Sequence, residues 1–141
     1  MRHIRLCDTT DFRELTLLWE RSVRATHSFL SEEDIAAIRA NLPTYFANVV
    51  LYAITDGDKI GGFIGLSDNR IEMLFVDADK IGRGFGTILI NHAVSLGATH
   101  VDVNEQNPDA LAFYQAKGFR VAGRSDLDSD GRPFPILHLS L

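Results

Sequence analysis

The residues Ile71-Glu72-Met73-Leu74-Phe75-Val76-Asp77, then Lys80-Ile81-Gly82-Arg83-Gly84-Phe85-Gly86 and the apolar run from Thr87 to Leu96, decide how this chain folds. Seven mostly apolar residues predict a strand, the spaced glycines a tight turn, and the run from Thr87 a helix. A glycine-rich turn that opens a helix aims several backbone N–H groups at one point, at the positive end of the helix dipole. Such a point binds anions, phosphate above all. Two phosphate motifs do not fit. A nucleotide-triphosphate loop ends in Gly-Lys-Ser/Thr, whereas Arg83 is followed by Gly-Phe-Gly-Thr. A dinucleotide fingerprint on Gly84 and Gly86 needs a third glycine where Leu89 stands.

Around this stretch the composition is that of one globular domain spanning residues 1–141, with 45% apolar and 23% charged residues. No apolar run approaches the ~20 residues that span a bilayer, and Met1-Arg2-His3-Ile4-Arg5 has no signal-peptide core behind it. Cys7 is the single cysteine, which excludes an internal disulfide and a cysteine-built metal site and makes the reducing cytoplasm the expected compartment. His3, His92, His100 and His138 show no metal-ligand spacing, so no metal is expected. A net charge of −5 without a Lys/Arg block argues against a nucleic-acid surface and leans toward a cationic substrate.

Taken in order, His3 to Cys7 alternates as a first strand. Asp8 is placed to cap a helix carrying Phe12, Leu15, Leu18, Trp19 and Val23 at helical spacing. That stripe predicts core, with Trp19 as a ligand stacker the lesser alternative. Ser31-Glu32-Glu33-Asp34 predicts the capping box of a second helix that ends before Pro43. Val49 to Thr55 and Lys59 to Leu66 form a hairpin around Asp56-Gly57-Asp58. After the glycine turn and its helix come a strand from His100 to Asn104 and a helix from Pro108 to Gly118. Two last strands, Phe119 to Leu127 and Phe134 to Leu141, complete the chain.

The glycine turn resembles the pyrophosphate-binding motif of the GCN5-related N-acetyltransferases (GNAT), Gln/Arg-x-x-Gly-x-Gly/Ala. Ile81-Gly82-Arg83-Gly84-Phe85-Gly86 matches at the last two glycines, with Ile81 in place of the leading polar residue. A second likeness is Asn104-Glu105-Gln106-Asn107-Pro108 leading to Phe113-Tyr114-Gln115-Ala116-Lys117-Gly118-Phe119. The order of elements is similar to that family's along almost the whole chain. The resemblance implies an α/β fold with a mixed, mostly antiparallel sheet of about seven strands, about four flanking helices, and a splayed parallel pair at strands 4 and 5. It implies acetyl-CoA as co-substrate and a primary amine of a small molecule or protein as acceptor, with direct attack in a ternary complex. It also implies that the backbone of Leu74, Phe75 and Val76 holds pantetheine, while Ile81, Gly82, Arg83, Gly84, Phe85, Gly86 and Thr87 wrap the pyrophosphate. Asn107 holds the cofactor or caps its helix. Family members often form homodimers. A different class, a non-catalytic acyl-CoA sensor or interaction domain, is the alternative that Ile81 keeps open.

Acetyl transfer from a thioester to an amine has three requirements. A Lys-like ammonium of pKa ~10.4 must lose a proton, the carbonyl oxygen must be stabilised as it turns negative, and the departing thiolate benefits from a proton. Tyr114 matches the family's general acid, being protonated at neutral pH; the alternative is a core aromatic beside Phe113. For the base there are two candidates besides a water chain. Glu72 lies in the organising strand, where strict alternation puts it on the same side as Leu74. His27 sits in the irregular segment between the first two helices and has a pKa suited to the task.

Overall fold

The computed structural model describes residues 2–141. Its strands are β1 (Arg2–Leu6), β2 (Val50–Asp56), β3 (Lys59–Ser67), β4 (Arg70–Val76), β5 (His100–Asn104), β6 (Arg120–Ser125) and β7 (Ile136–Ser140). They form one mixed sheet in the order β1-β2-β3-β4-β5-β7-β6, in which β4 and β5 are the parallel pair. Among the described residues the α-helices are α1 (Phe12–Thr26), α2 (Glu32–Ala47), α3 (Phe85–Ser95) and α4 (Pro108–Ala116). The expected architecture is therefore the observed one.

Alternation along the strands divides the core in two. On one face of the sheet α1 and α2 bury Leu15, Leu18, Trp19 and Phe46 against Phe63 of β3. On the other, α3 and α4 bury Phe85, Leu89 and Tyr114 against Ile64, the next residue of β3. Almost the whole of β3 is buried, as a strand covered on both faces must be.

Three local expectations need correction. Asp8 caps a 3₁₀ turn (Thr9–Asp11), not α1 itself: its Oδ1 accepts from Thr10 N–H at 2.9 Å, and α1 starts only at Phe12. Helix α3 starts at Phe85, two residues before Thr87, because Gly84 serves as N-cap in the left-handed conformation, φ 85°. Helix α2 does not stop before Pro43 but runs through it to Ala47. An interior proline costs ~3 kcal/mol through the lost N–H and the clash of its ring. Leu42 and Phe46 flank it, both buried, and the Phe46 ring lies 5.3 Å from Phe12 and 5.7 Å from Phe63. Burying two such side chains contributes ~1.5–3 kcal/mol each, which offsets the proline.

Candidate active site

The glycine turn is built to leave backbone donors open. Asp77 directly follows β4, accepts from Ala78 N–H at 2.8 Å and is gripped by Arg21 of α1 through two bonds of 3.0 and 2.7 Å. Gly82 and Gly84 take positive φ, 81° and 85°, which side chains rarely adopt. The first backbone bond of α3 is Ile88 N–H to Gly84 C=O at 3.1 Å, and no side chain caps the helix. The N–H groups of Phe85, Gly86 and Thr87 thus have no partner within α3. Close packing is needed here too, since a Cβ on Gly86 would lie 3.3 Å from the Phe113 ring.

This turn walls a cavity of about 440 Å³, together with Leu74 and Val76 of β4 and Ala110, Phe113 and Tyr114 of α4. Ile81, Gly82, Gly84, Phe85, Gly86 and Thr87 all line it, and Lys80 adds a positive charge. Arg83 is outside this lining; the Phe75 side chain packs on the α1/α2 side, while Phe75 itself also borders the gap between β4 and β5.

Between β4 and β5 the sheet opens. Only Arg70↔His100 and Ile71↔Val101 pair, after which the strands part. The gap is a cavity of about 140 Å³ that brings together Glu72, His27, Asn107 and Tyr114 with Asn104 and Asp102. Asn107 reaches it as N-cap of α4, accepting from Ala110 N–H at 3.2 Å, with Pro108 in the first turn. A third cavity, about 390 Å³, opens on the α1/α2 side and is lined by Trp19, Leu42, Tyr45, Met73 and Phe75, again with Glu72. Tyr114 therefore borders the first and second cavities, and Glu72 the second and third.

Glu72 reaches the far side because of a β-bulge. The register runs Gly65↔Met73 and then Leu66↔Ile71, which leaves Glu72 as the extra residue of β4. Strict alternation had placed it beside Leu74; the bulge instead sets it with Met73 and Phe75, while Leu74 faces the glycine-turn cavity. Gly65 makes room, since a Cβ there would come within 2.8 Å of Met73.

The electrostatics separate the candidates. Burial raises the Tyr114 hydroxyl well above the usual phenol range, so it stays protonated; among the described residues it has no hydrogen-bond partner. Burial also raises the Glu72 carboxyl, with Asp102 adding to the rise and Arg70, 3.9 Å away, opposing it. His27 is shifted down by burial and is neutral at pH 7. Its Nδ1 faces Thr26 Oγ1 at 2.7 Å, and that hydroxyl donates to Ser22 C=O at 2.8 Å. Nδ1 must then carry the hydrogen, and Nε2 accepts from Asn107 Nδ2 at 3.4 Å.

Some neighbours of the site carried no local signal. Asp102 accepts from Arg70 at 3.0 Å and meets His138 Nδ1 at 2.7 Å, while His138 Nε2 meets Ser125 Oγ at 2.7 Å. This row crosses β4, β5, β7 and β6, and depends on β7 inserting between β5 and β6. The loop after β6 is tied to α2 by Tyr45 Oη donating to Asp130 at 2.8 Å. No group of His, Cys, Asp and Glu among the described residues is arranged to hold a metal ion. Among the described residues no helix is long and apolar enough to cross a membrane.

Residues 20–135 match the family model of the acetyltransferase (GNAT) domain. A relative from Salmonella typhimurium, the peptidyl-lysine N-acetyltransferase YjaB, is 39% identical over 142 residues, covering 99% of this chain and 97% of its own. The solution structure of apo YjaB from Escherichia coli superposes with a TM-score of 0.91 at 37% identity, over 99% of this chain and 97% of that one. The PaiA N-acetyltransferase of Thermoplasma acidophilum, solved in complex with coenzyme A, shares the fold at a TM-score of 0.77 and 20% identity, over 100% of this chain and 99% of that one.

Proposed function

Since the chain belongs to the GNAT family and is an N-acetyltransferase, we propose that it takes the acetyl group from acetyl-CoA and delivers it to a lysine side chain of a protein. The observation that carries this reading is that three cavities share walls, Tyr114 bordering both the glycine-turn cavity and the small gap cavity, and Glu72 both the gap cavity and the one on the α1/α2 side. The open N–H groups of the α3 turn fit a pyrophosphate, and the β4 edge facing the gap fits the amide-bearing pantetheine arm. Leu74, Val76 and the turn from Ile81 to Thr87 hold the donor. The relatives named above support the lysine acceptor, and the apolar cavity ending at Glu72 suits an aliphatic stem with an ammonium at its tip.

Glu72 takes the ammonium proton, directly or through water. Its raised pKa brings it nearer the working pH, which makes it a better base than an ordinary glutamate. The freed amine attacks the acetyl carbon, the C–S bond breaks as Tyr114 gives its proton to the departing thiolate, and the second proton shed by the nitrogen as the amide forms restores the Tyr114 hydroxyl through water. His27 serves as a neutral holder of Asn107 rather than as the base, because Nε2 is already accepting from Asn107. Cys7 takes no part: burial pushes its thiol up to about 11, and it lines a separate cavity with Leu6 and Phe12. The protein acts as a single domain, residues 1–141, in the cytoplasm, in keeping with its lone cysteine.

The test is incubation with acetyl-CoA and lysine-containing peptides, following thiol release and peptide mass. Acetyl-lysine in the product is the expected outcome. Turnover of small amines with no transfer to any peptide would overturn the lysine acceptor. Thioester binding without turnover of any amine would favour the sensor alternative instead.

A further inference from the structure

We propose that Arg2 is a positioning residue for the glycine turn, setting the direction of the N–H groups that receive the pyrophosphate. The proposal rests on the reading of that cavity as the coenzyme A site. No side chain from Ile81 to Gly86 makes a hydrogen bond among the described residues, and Ile81 is half-exposed. The turn is held from outside. Arg2, 81 positions earlier in β1, donates from Nη1 to the Arg83 carbonyl at 2.7 Å. Its guanidinium carbon stands 4.3 Å from the centre of the Phe85 ring, and a Cβ on Gly84 would lie 3.6 Å from Nη1. One side chain thus touches three consecutive residues of the turn.

The consequence follows from the planar trans peptide, in which C=O and N–H point in opposite directions. Fixing the Arg83 carbonyl toward Arg2 turns the Gly84 N–H away from it. Gly84 lines the cavity and Arg2 does not. The same guanidinium covers Phe85 from one side. On another, Phe85 rests on Gly61 of β3, where a Cβ would come within 2.2 Å of the ring. The first residue of α3 is clamped between strands, and the N–H groups after it keep their aim. Two left-handed glycines would otherwise let this turn sample many directions. The charge of Arg2 also favours an anion nearby, offsetting Asp77 and Asp79.

The test uses Arg2→Ala and compares two acetyl donors. For acetyl-CoA the Kd should rise about tenfold, equivalent to about 1.4 kcal/mol, with kcat at saturation within twofold of the parent. S-acetylpantetheine lacks the pyrophosphate, so its kcat/KM should stay within twofold. Arg2→Met keeps the stem without the donor and carries the same expectation if the alanine variant folds poorly. An unchanged Kd for acetyl-CoA, or an equal loss with S-acetylpantetheine, overturns the proposal. Failure of the parent protein itself to bind acetyl-CoA would instead sink the coenzyme A reading on which it rests.

Discussion

In the proposed mechanism, single residues divide the chemistry within one small cavity, lined by both Tyr114 and Glu72. Tyr114→Phe removes the proton that the proposed mechanism offers to the thiolate, and little else. It should lower kcat ~10²–10⁴-fold while leaving the acetyl-CoA Kd within twofold, measured by calorimetry beside steady-state kinetics. Glu72→Gln removes the proposed base, and the pH profile is its signature. Glu72 must be deprotonated to act, and burial raises its pKa. Turnover of the parent should therefore rise with pH through a value above the ~4.3 of an ordinary glutamate, and the variant should lose that limb. The place of Tyr114 beside the two cavities was legible through the landmark on α4 that the family resemblance supplies. The far-side setting of Glu72 was not. A bulge moves one residue out of step, and the room for it comes from Gly65 on the neighbouring strand, which a reading of β4 alone cannot weigh. His27 was legible as a candidate only, since its tautomer is set by Thr26 and by Asn107, 80 positions away.

At the level of elements, the glycine turn depends on conformation more than on side chains. Gly84→Ala places a Cβ at φ 85°, a strain of ~1–2 kcal/mol. It should weaken acetyl-CoA binding about tenfold by calorimetry. The link from α1 to the end of β4 is the Arg21–Asp77 pair. Arg21 is half-exposed and water screens the pair, so Asp77→Asn, which can still cap Ala78, should cost only ~0.5–1 kcal/mol, a fall of ~2–4 °C in Tm. The hydrogen bond from Arg21 holds the Asp77 carboxyl below its ordinary value. Its contribution is thus complete above the unfolded pKa of ~3.9 and fades as pH falls through the lower folded value. The Tm gap between parent and variant should narrow in acid. Caps and glycines made most element boundaries readable. Pro43 misled because local propensity says stop, whereas Phe46 finds Phe12 and Phe63 across the core.

Across the whole molecule, the order of elements was legible because strand and helix periodicities alternate cleanly, whereas the parallel pair was implied only by the family resemblance. What the sequence could not supply was depth: which cavity opens on which face, and that Tyr45, Trp19 and Asp102 border them. Those follow from the position of β7 and from the parting of β4 and β5 after two paired positions. That parting has a kinetic consequence. Beyond Ile71, alternate amides of β4 point into the gap rather than toward β3, with no strand to shield them. In heavy water these amides should exchange early, ahead of the buried amides of β3. Adding coenzyme A should slow them selectively, because an arm lying along β4 replaces the missing strand. A free edge in the middle of a sheet is thus also a clock, and its rate reports occupancy without any turnover.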